Sequence, residues 1–445
     1  VSAPVIADAS GTSLPRRVRI GYGSGSVATG AFGTVPGLML LPYLTDEIGL
    51  AAGLAGLVVF LPKAWDVLLN PVAGRISDRT TDPRGPRRPW LLRAGSLLAV
   101  TFALIFAAPA MSTGLETAWV LVMFLACASA YAFFQVPYVS MAAEMTPSYD
   151  ERTRLMTWRV SILALTILLV GASAPLIRDQ VGGRDGYRLM GVVMALVILA
   201  GVVAGYRGTR HAPVGTVQPG AGSLRDQLRI VSGARDFRLL LTTFVVQALA
   251  VGCVLAGVDY LAEDVLDSAG AVTVLFACFV APALLLTPVW SAVGQRVGKK
   301  TGYVASSLLL AAGSLGAVLA GSAPAAVLFA AVAVSGVGYA GCQVFPMAMM
   351  PDAAALDTRR TGSNRVGVYT GVWTAGETFG LALGPAVFAL VLQLGGYRSG
   401  SGAVQPDSAV TAIVVGFSLL PAALVLLSLW WLARYSLDAS EVDAA

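Results

Sequence analysis

Asp66 and Lys63 stand one helical turn apart in KAWDVLLNPVAGRISDRT, Lys63 to Thr80, at the end of a run otherwise apolar enough to lie in lipid. A carboxylate inside a bilayer costs at least about 2.5 kcal/mol, so Asp66 must face protein, water or an ion. Two chemistries fit. Asp66 binds a cation or a proton, or it makes an i, i+3 ion pair with Lys63 that lets both groups be buried. Glu377, in GVWTAGETFGLALGPA, is a second acid well inside an apolar run, placed either to titrate or to pair with Arg159 or Lys63. Gln135 and Gln343 carry amides that donate and accept together, which suits sugar hydroxyls and equally suits hydrogen bonding between helices. With Arg159, the aromatics Tyr131, Tyr138, Tyr339 and Trp373 complete a set able to line a cavity for hydroxyl-rich solutes.

Residues of this kind need an apolar scaffold, and the composition supplies one. Apolar residues make up 56% of the 445 and charged residues only 12%, far from the balance of a soluble chain. A membrane-crossing helix takes about 20 largely apolar residues. Twelve such windows are legible, at 20–44, 53–76, 90–110, 117–143, 157–177, 187–206, 238–262, 270–293, 302–321, 325–349, 365–394 and 409–434. The expected fold is an all-α integral membrane protein with twelve transmembrane helices in two six-helix bundles. Residues 1–206 form the first bundle with a polar N-terminal tail, 207–237 a cytoplasmic linker, and 238–445 the second bundle. In the linker, SLRDQLRIVSGARDF places Leu224, Leu228 and Ile230 opposite Arg225 and Arg229, the pattern of a short surface helix or of an ordinary linker helix. Residues 1–15 lack a basic segment followed by an apolar one, so the first window is expected to be kept as the first span.

Charge placement sets the expected orientation. With both termini cytoplasmic, 25 of the 30 Lys and Arg fall inside, while Arg178, Arg184, Arg188 and Arg398 fall outside and Lys63 lies within a span. That asymmetry accounts for the basic balance without nucleic-acid binding, which needs a concentrated basic face with stacking aromatics. Cys127, Cys253, Cys278 and Cys342 all lie in spans without metal-ligand spacing, so neither disulfides nor a metal site is expected. The single histidine, His211, and the lack of HExxH, GxSxG or Walker patterns argue against an enzyme. Asp46 and Asp259 fall at the outer ends of their windows and are expected to be solvated.

The halves echo each other. YAFFQVPYVSMAAEM from Tyr131 matches YAGCQVFPMAMMPDA from Tyr339 at an offset of 208, pairing Gln135 with Gln343. LNPVAGRISDRT from Leu69 matches LTPVWSAVGQRVGKK from Leu286 at an offset of 217, pairing Pro71 with Pro288 and Arg79 with Arg296. Parallel repeats in this order are a transporter architecture with a central cavity between two bundles.

The same stretches carry a family resemblance. GRISDRTTDPRGPRRPW, between the second and third windows, resembles the cytoplasmic signature loop of the major facilitator superfamily, lengthened as in its glycoside–pentoside–hexuronide:cation symporters, the branch of the melibiose permease. PYLTDEIGL, QVPYVSMAAEMTPSYDERTRL and GVWTAGETFGLALGPA extend the likeness over both halves. It implies alternating access, symport of a small solute with H+ or Na+ as coupling ion and no other cofactor, and a monomer in the plasma (cell inner) membrane with lipids as its other partners. The superfamily's lysolipid transporters resemble the same branch, so a lysolipid or other hydrophobic solute is the alternative cargo.

Carried over residue by residue, the resemblance places Asp66 at the first acid of the cation site, with Asn70 in place of the second acid and Leu69 in place of an Asn. One carboxylate and an amide tilt the expectation toward a proton. Around the sugar, Gly30, Gln135, Val139 and Thr378 replace two family acids, a Trp and a Lys, and Arg159 is retained. Asp78, Arg79, Arg87 and Arg88, with Arg154 of YDERTR and Arg296 of the repeat, are expected to form a cytoplasmic charge network that latches one conformation.

Overall fold

The fold is that of a computed structural model describing residues 14–146, 148–213, 229–268, 270–361 and 366–437. Among these residues the regular structure is helical, without strands. Eleven helices are long and apolar enough to cross a membrane, and a bent pair makes a twelfth span. In chain order they are α1 (Arg16–Glu47), α2 (Ala52–Asp78), α3 (Arg88–Ile105), α4 (Thr113–Met145), α5 (Tyr149–Val181) and α6 (Gly183–Thr209). There follow α7 (Arg235–Val265), α8 (Ala271–Leu285 with Thr287–Val297), α9 (Lys299–Leu319), α10 (Ala325–Thr361), α11 (Val366–Leu394) and α12 (Asp407–Ala433). All twelve windows read from composition are spans. The linker residues Leu224, Arg225 and Leu228, and the tail up to residue 13, lie outside the described residues.

Small residues set the closest crossings, as expected where lipid supplies no hydrophobic drive between helices. A Cβ on Gly384 of α11 would sit 2.5 Å from the backbone of Gly252 on α7, so this pair packs main chain to main chain. Only glycine fits there.

Two kinds of break shape the bundle. Both α1 and α7 end in a π-helical turn, Tyr43–Glu47 and Leu261–Val265, which re-aims a cluster of acids at the end of each helix. α8 bends by 51° at Leu286. Pro282 and Pro288 flank that bend, and each removes a helical donor and crowds the carbonyl four residues earlier. The first segment of α8 packs on α10 and on α5, whereas Thr287–Val297 meets α9 and α10 and has no buried residue. The corresponding Pro71 leaves α2 unbroken.

The first six and last six helices meet on the face remote from the chain ends. There the Gly53 amide of α2 donates to Gln393 Oε1 in the last turn of α11 (3.0 Å), and Phe60 meets Phe379 edge-on at 5.7 Å. Thr273 of α8 donates to the Ala172 carbonyl of α5 (3.1 Å), and Thr45 of α1 hydrogen-bonds the Tyr260 hydroxyl of α7 (2.8 Å). The connection after α11 adds Gly400 N–H to the Thr45 carbonyl and Ser399 Oγ to the Leu50 carbonyl.

Candidate transport site

In the first half, α1, α2 and α4 bring one polar cluster together at mid-span. Asp66 is 3% exposed and its Oδ1 has no hydrogen-bond partner among the described residues. Lys63 does not close on it as an ion pair within 4.0 Å; its ammonium donates to the Phe32 carbonyl (3.3 Å) and rests 3.9 Å from the centre of the Phe32 ring. A cation over an aromatic face is held without a counter-ion. Phe32 in turn stacks on Tyr131 at 4.2 Å, and Thr29 donates to Gln135 Oε1 at 2.7 Å. Asn70 is half-buried one turn further along α2. Thus Asp66, Tyr131 and Gln135 share one cluster, and Thr29 and Phe32 join it without having been singled out from the sequence.

Tyr138 and Arg159 form the next layer. The Tyr138 hydroxyl donates to the Tyr22 carbonyl (2.6 Å) and contacts Ser26 Oγ (3.0 Å), so it is committed to α1 packing. Arg159 lies half-buried with its guanidinium 5.8 Å from the Tyr138 ring centre, and its Nε is buried without a hydrogen-bond partner. That is a donor left over.

The second half places Glu377 in a small pocket between α7, α10 and α11, with room for about one water, and with Gln247, Tyr339, Gln343, Phe244 and Cys342 in its wall. Glu377 has no ion pair within 4.0 Å with either Arg159 or Lys63, the two partners considered for it. Gln343 Nε2 donates to the Tyr339 hydroxyl at 2.6 Å. Thr378, the next residue, is half-buried. Trp373 corrects the sequence reading: it is 1% exposed, stacked on Phe244 at 4.5 Å and edge-on to Phe237, so it packs α11 on α7 instead of facing a cavity.

The charge network of the second loop takes a definite form. Arg87 bonds Asp78 (2.5 Å), Glu144 (2.8 Å) and Ser77, tying the end of α2 to the end of α4. Arg88 turns to backbone carbonyls, those of Arg84, Ala212 and Pro213, and so fastens the loop to the end of α6. Arg154 pairs with Glu151, which also holds Arg19 of α1. Arg79 and Arg296 are exposed. These contacts join elements of the first half to one another, and Glu144 and Glu151 are members that the sequence reading passed over.

The expectation that Asp46 and Asp259 are solvated is overturned. Arg178 of α5, 5% exposed at the side chain, donates to Asp259 (2.7 Å) and Glu263 (2.6 Å) on α7 and to its neighbour Asp179 (2.6 Å). Asp259 is 1% exposed, buried because a guanidinium neutralises it. Asp46 accepts from the Tyr397 hydroxyl (2.9 Å), which also faces Asp264 at 3.4 Å. Burial, reinforced by Asp46, pushes the Tyr397 hydroxyl well up, so it stays protonated as the donor. A signal for this face was present: YLTDEI from Tyr43 and YLAEDV from Tyr260 repeat at an offset of 217, and both close their helices with paired acids.

Similarity to known proteins agrees with this architecture. The chain is 27% identical over 442 residues to a putative glycoside/cation symporter, YagG, of Escherichia coli strain K12, covering 97% of this chain and 94% of that protein. It is 24% identical to the isoprimeverose transporter of Lactiplantibacillus pentosus, covering 96% and 90%. Among solved structures, a proton-dependent oligopeptide transporter superposes with a TM-score of 0.68 at 14% identity, covering 94% of this chain and 97% of that one, a likeness of fold. Residues 21–439 match the family described as MFS/sugar transport protein, and the chain belongs to that family.

Proposed function

We propose that this chain is a cation-coupled symporter of a sugar or glycoside, working by alternating access, with Asp66 as the coupling base. One observation carries the reading: a carboxylate buried at mid-span keeps an oxygen without a partner, beside a lysine held by an aromatic ring instead of by that carboxylate. Burial of that kind persists when the group has a function, because it is otherwise costly. Relatives named for glycoside/cation symport and for isoprimeverose transport favour the same cargo and coupling. The coupling ion is a proton. Sodium is held by several oxygens, and the next turn of α2 offers the amide of Asn70 in place of a second acid.

The Lys and Arg bias favours both chain ends in the cytoplasm, and the membrane assigned on this reading is the plasma membrane. On that orientation the Arg178 face is external, and its contacts hold it closed. In alternating access the two halves rock about the solute, so the external contacts break as the cytoplasmic ends close.

The test is transport in proteoliposomes with Asp66→Asn. One charge crossing 100 mV is worth about 2.3 kcal/mol, a bias of roughly fiftyfold in accumulation. The variant keeps exchange of solute down its gradient and loses accumulation driven by an imposed pH gradient. Full accumulation in Asp66→Asn removes Asp66 from coupling, drive by a sodium gradient alone makes Na+ the ion, and flux of lysolipid without flux of any glycoside overturns the cargo.

A further inference from the structure

The Arg178 face carries more acids than its arginines neutralise. Arg178 holds Asp179, Asp259 and Glu263, and it also donates to the Tyr187 hydroxyl of α6 (3.2 Å). Arg184 is committed to Glu116 and to the Glu47 carbonyl. Asp46 of α1 and Asp264 of α7 have no ion pair within 4.0 Å among the described residues; what they share is the Tyr397 hydroxyl, at 2.9 and 3.4 Å. Asp259 faces both of them, Glu263 stands beside Asp264, and Glu47 faces the two arginines. The Thr45 and Tyr260 hydroxyls next to this group are bonded to each other. A count of hydrogens follows from the geometry. A phenol has one, and here it goes to Asp46, the shorter contact. Asp264 joins the same oxygen only by carrying a hydrogen of its own and donating it; ionised, it would set a second negative charge against the first with no cation between. Asp46 belongs to the first half, Asp264 and Tyr397 to the second. Apart, each acid is hydrated and ionised above about pH 4, and the Tyr397 hydrogen suffices for Asp264 alone. Brought together, the two acids need one hydrogen more.

We propose that closing this face takes up one proton, shared by Asp46 and Asp264 across Tyr397, so that the contact between the halves answers to the pH of the solution it meets. The sign is definite. A proton bound in the closed arrangement and released in the open one favours closure in acid, and that contribution is lost as pH rises. The Arg178 pairs have the opposite sign, because a proton on Asp259 or Glu263 cancels a charge that Arg178 needs and loosens the closed face. On the orientation given above the solution is the external one, and acid outside closes the face behind an entering solute. The linkage itself depends on neither that orientation, nor the cargo, nor Asp66.

The experiment reads the distance between spin labels at Met111 and Val404, exposed on the two halves of this face, in the purified full chain in detergent. No solute or gradient is added, and a chelator removes divalent cations. Gly171→Ala is the background, since its added Cβ crowds Phe276 across the halves without altering a charge and brings both arrangements into range. From about pH 5 to about pH 8 the share of the longer distance should rise, with the closed-to-open ratio falling by up to about tenfold per pH unit. In the same background Asp264→Asn gives the Tyr397 oxygen a permanent amide donor, so the face should stay closed across this range and lose the slope. Asp46→Asn should do the same, and it serves if Asp264→Asn folds poorly. A distance distribution that does not move with pH overturns the proposal, and so does an undiminished slope in both Asn variants. Opening on acidification overturns it too, since the Arg178 pairs alone would then govern the face.

Discussion

Replacing Arg178 with Gln should open the face that the structure holds shut. Arg178 sits on α5 and its partners Asp259 and Glu263 sit on α7, so its bonds of 2.7 and 2.6 Å join the two halves directly. The two partners differ in weight. Glu263 is 42% exposed at the side chain, and such a pair is worth little after solvent screening. Asp259, at 2% exposure against 5% for Arg178, is a buried pair, and removing one member of a buried pair costs about 3–5 kcal/mol. The lower end applies here, because Asp259 can take up a proton once its partner is gone. When the halves separate, both groups are hydrated, so the loss falls on the closed arrangement alone. About 3 kcal/mol moves a two-state balance on the order of a hundredfold. The assay is pulsed electron–electron resonance between spin labels at Met111 and Val404, exposed positions on the two halves of that face. The variant should gain a longer distance that the parent lacks, and Arg178→Lys, a point charge that cannot bridge two acids, should fall between them. An unchanged distance distribution in a folded Arg178→Gln protein would refute a latch.

Three further predictions follow. A Cβ on Gly171 of α5 would fall 2.1 Å from the ring of buried Phe276 on α8, so Gly171→Ala should disfavour the same closed face by about 1–3 kcal/mol of overpacking, read with the same labels and with every charge retained. Arg159→Ala should weaken glycoside binding about tenfold with little change in melting temperature, because its Nε is a donor without a partner; normal affinity would remove it from the cavity. A thermal-stability double-mutant cycle of Lys63→Met with Asp66→Asn should give a coupling near the roughly 0.5 kcal/mol limit of additivity, since Lys63 is held by Phe32; a coupling of 2 kcal/mol or more would restore the ion pair.

What was legible in the sequence depended on how local its cause is. Span number and position follow from apolar runs about as long as the bilayer is thick, and all twelve were readable. The repeat pairing Gln135 with Gln343 was readable too, and both side chains sit in polar clusters, one beside Thr29 and one beside Tyr339. The partner of each buried charge was not readable, because it depends on which helices cross at which depth. Lys63 lies one turn from Asp66 in sequence, yet the nearer solution in space is the ring and carbonyl of Phe32, 31 residues away. Asp259 looked like a solvated helix end because its neutralising arginine is 81 residues off, on a helix of the other half. Trp373 stands four residues before Glu377, a spacing that puts both on one side of α11, yet its ring is taken up by Phe244 and Phe237 of α7, partners that no local pattern announces.

The two halves therefore use the same fold for unlike tasks. Related helices place Gln135 and Gln343 one per half, and each amide is engaged by a hydroxyl, of Thr29 or of Tyr339. The acids beside them differ in setting. Asp66 is enclosed at 3% exposure with a lysine one turn away, so there is room for a proton and little for a solute. Glu377 lines a small pocket between α7, α10 and α11 whose described wall holds no basic residue. Ion and solute are coupled when each is best held by one relative position of the two halves, and the Arg178 ion pairs join the halves in one such position. Loosening the latch should for that reason weaken coupling before it weakens either binding step.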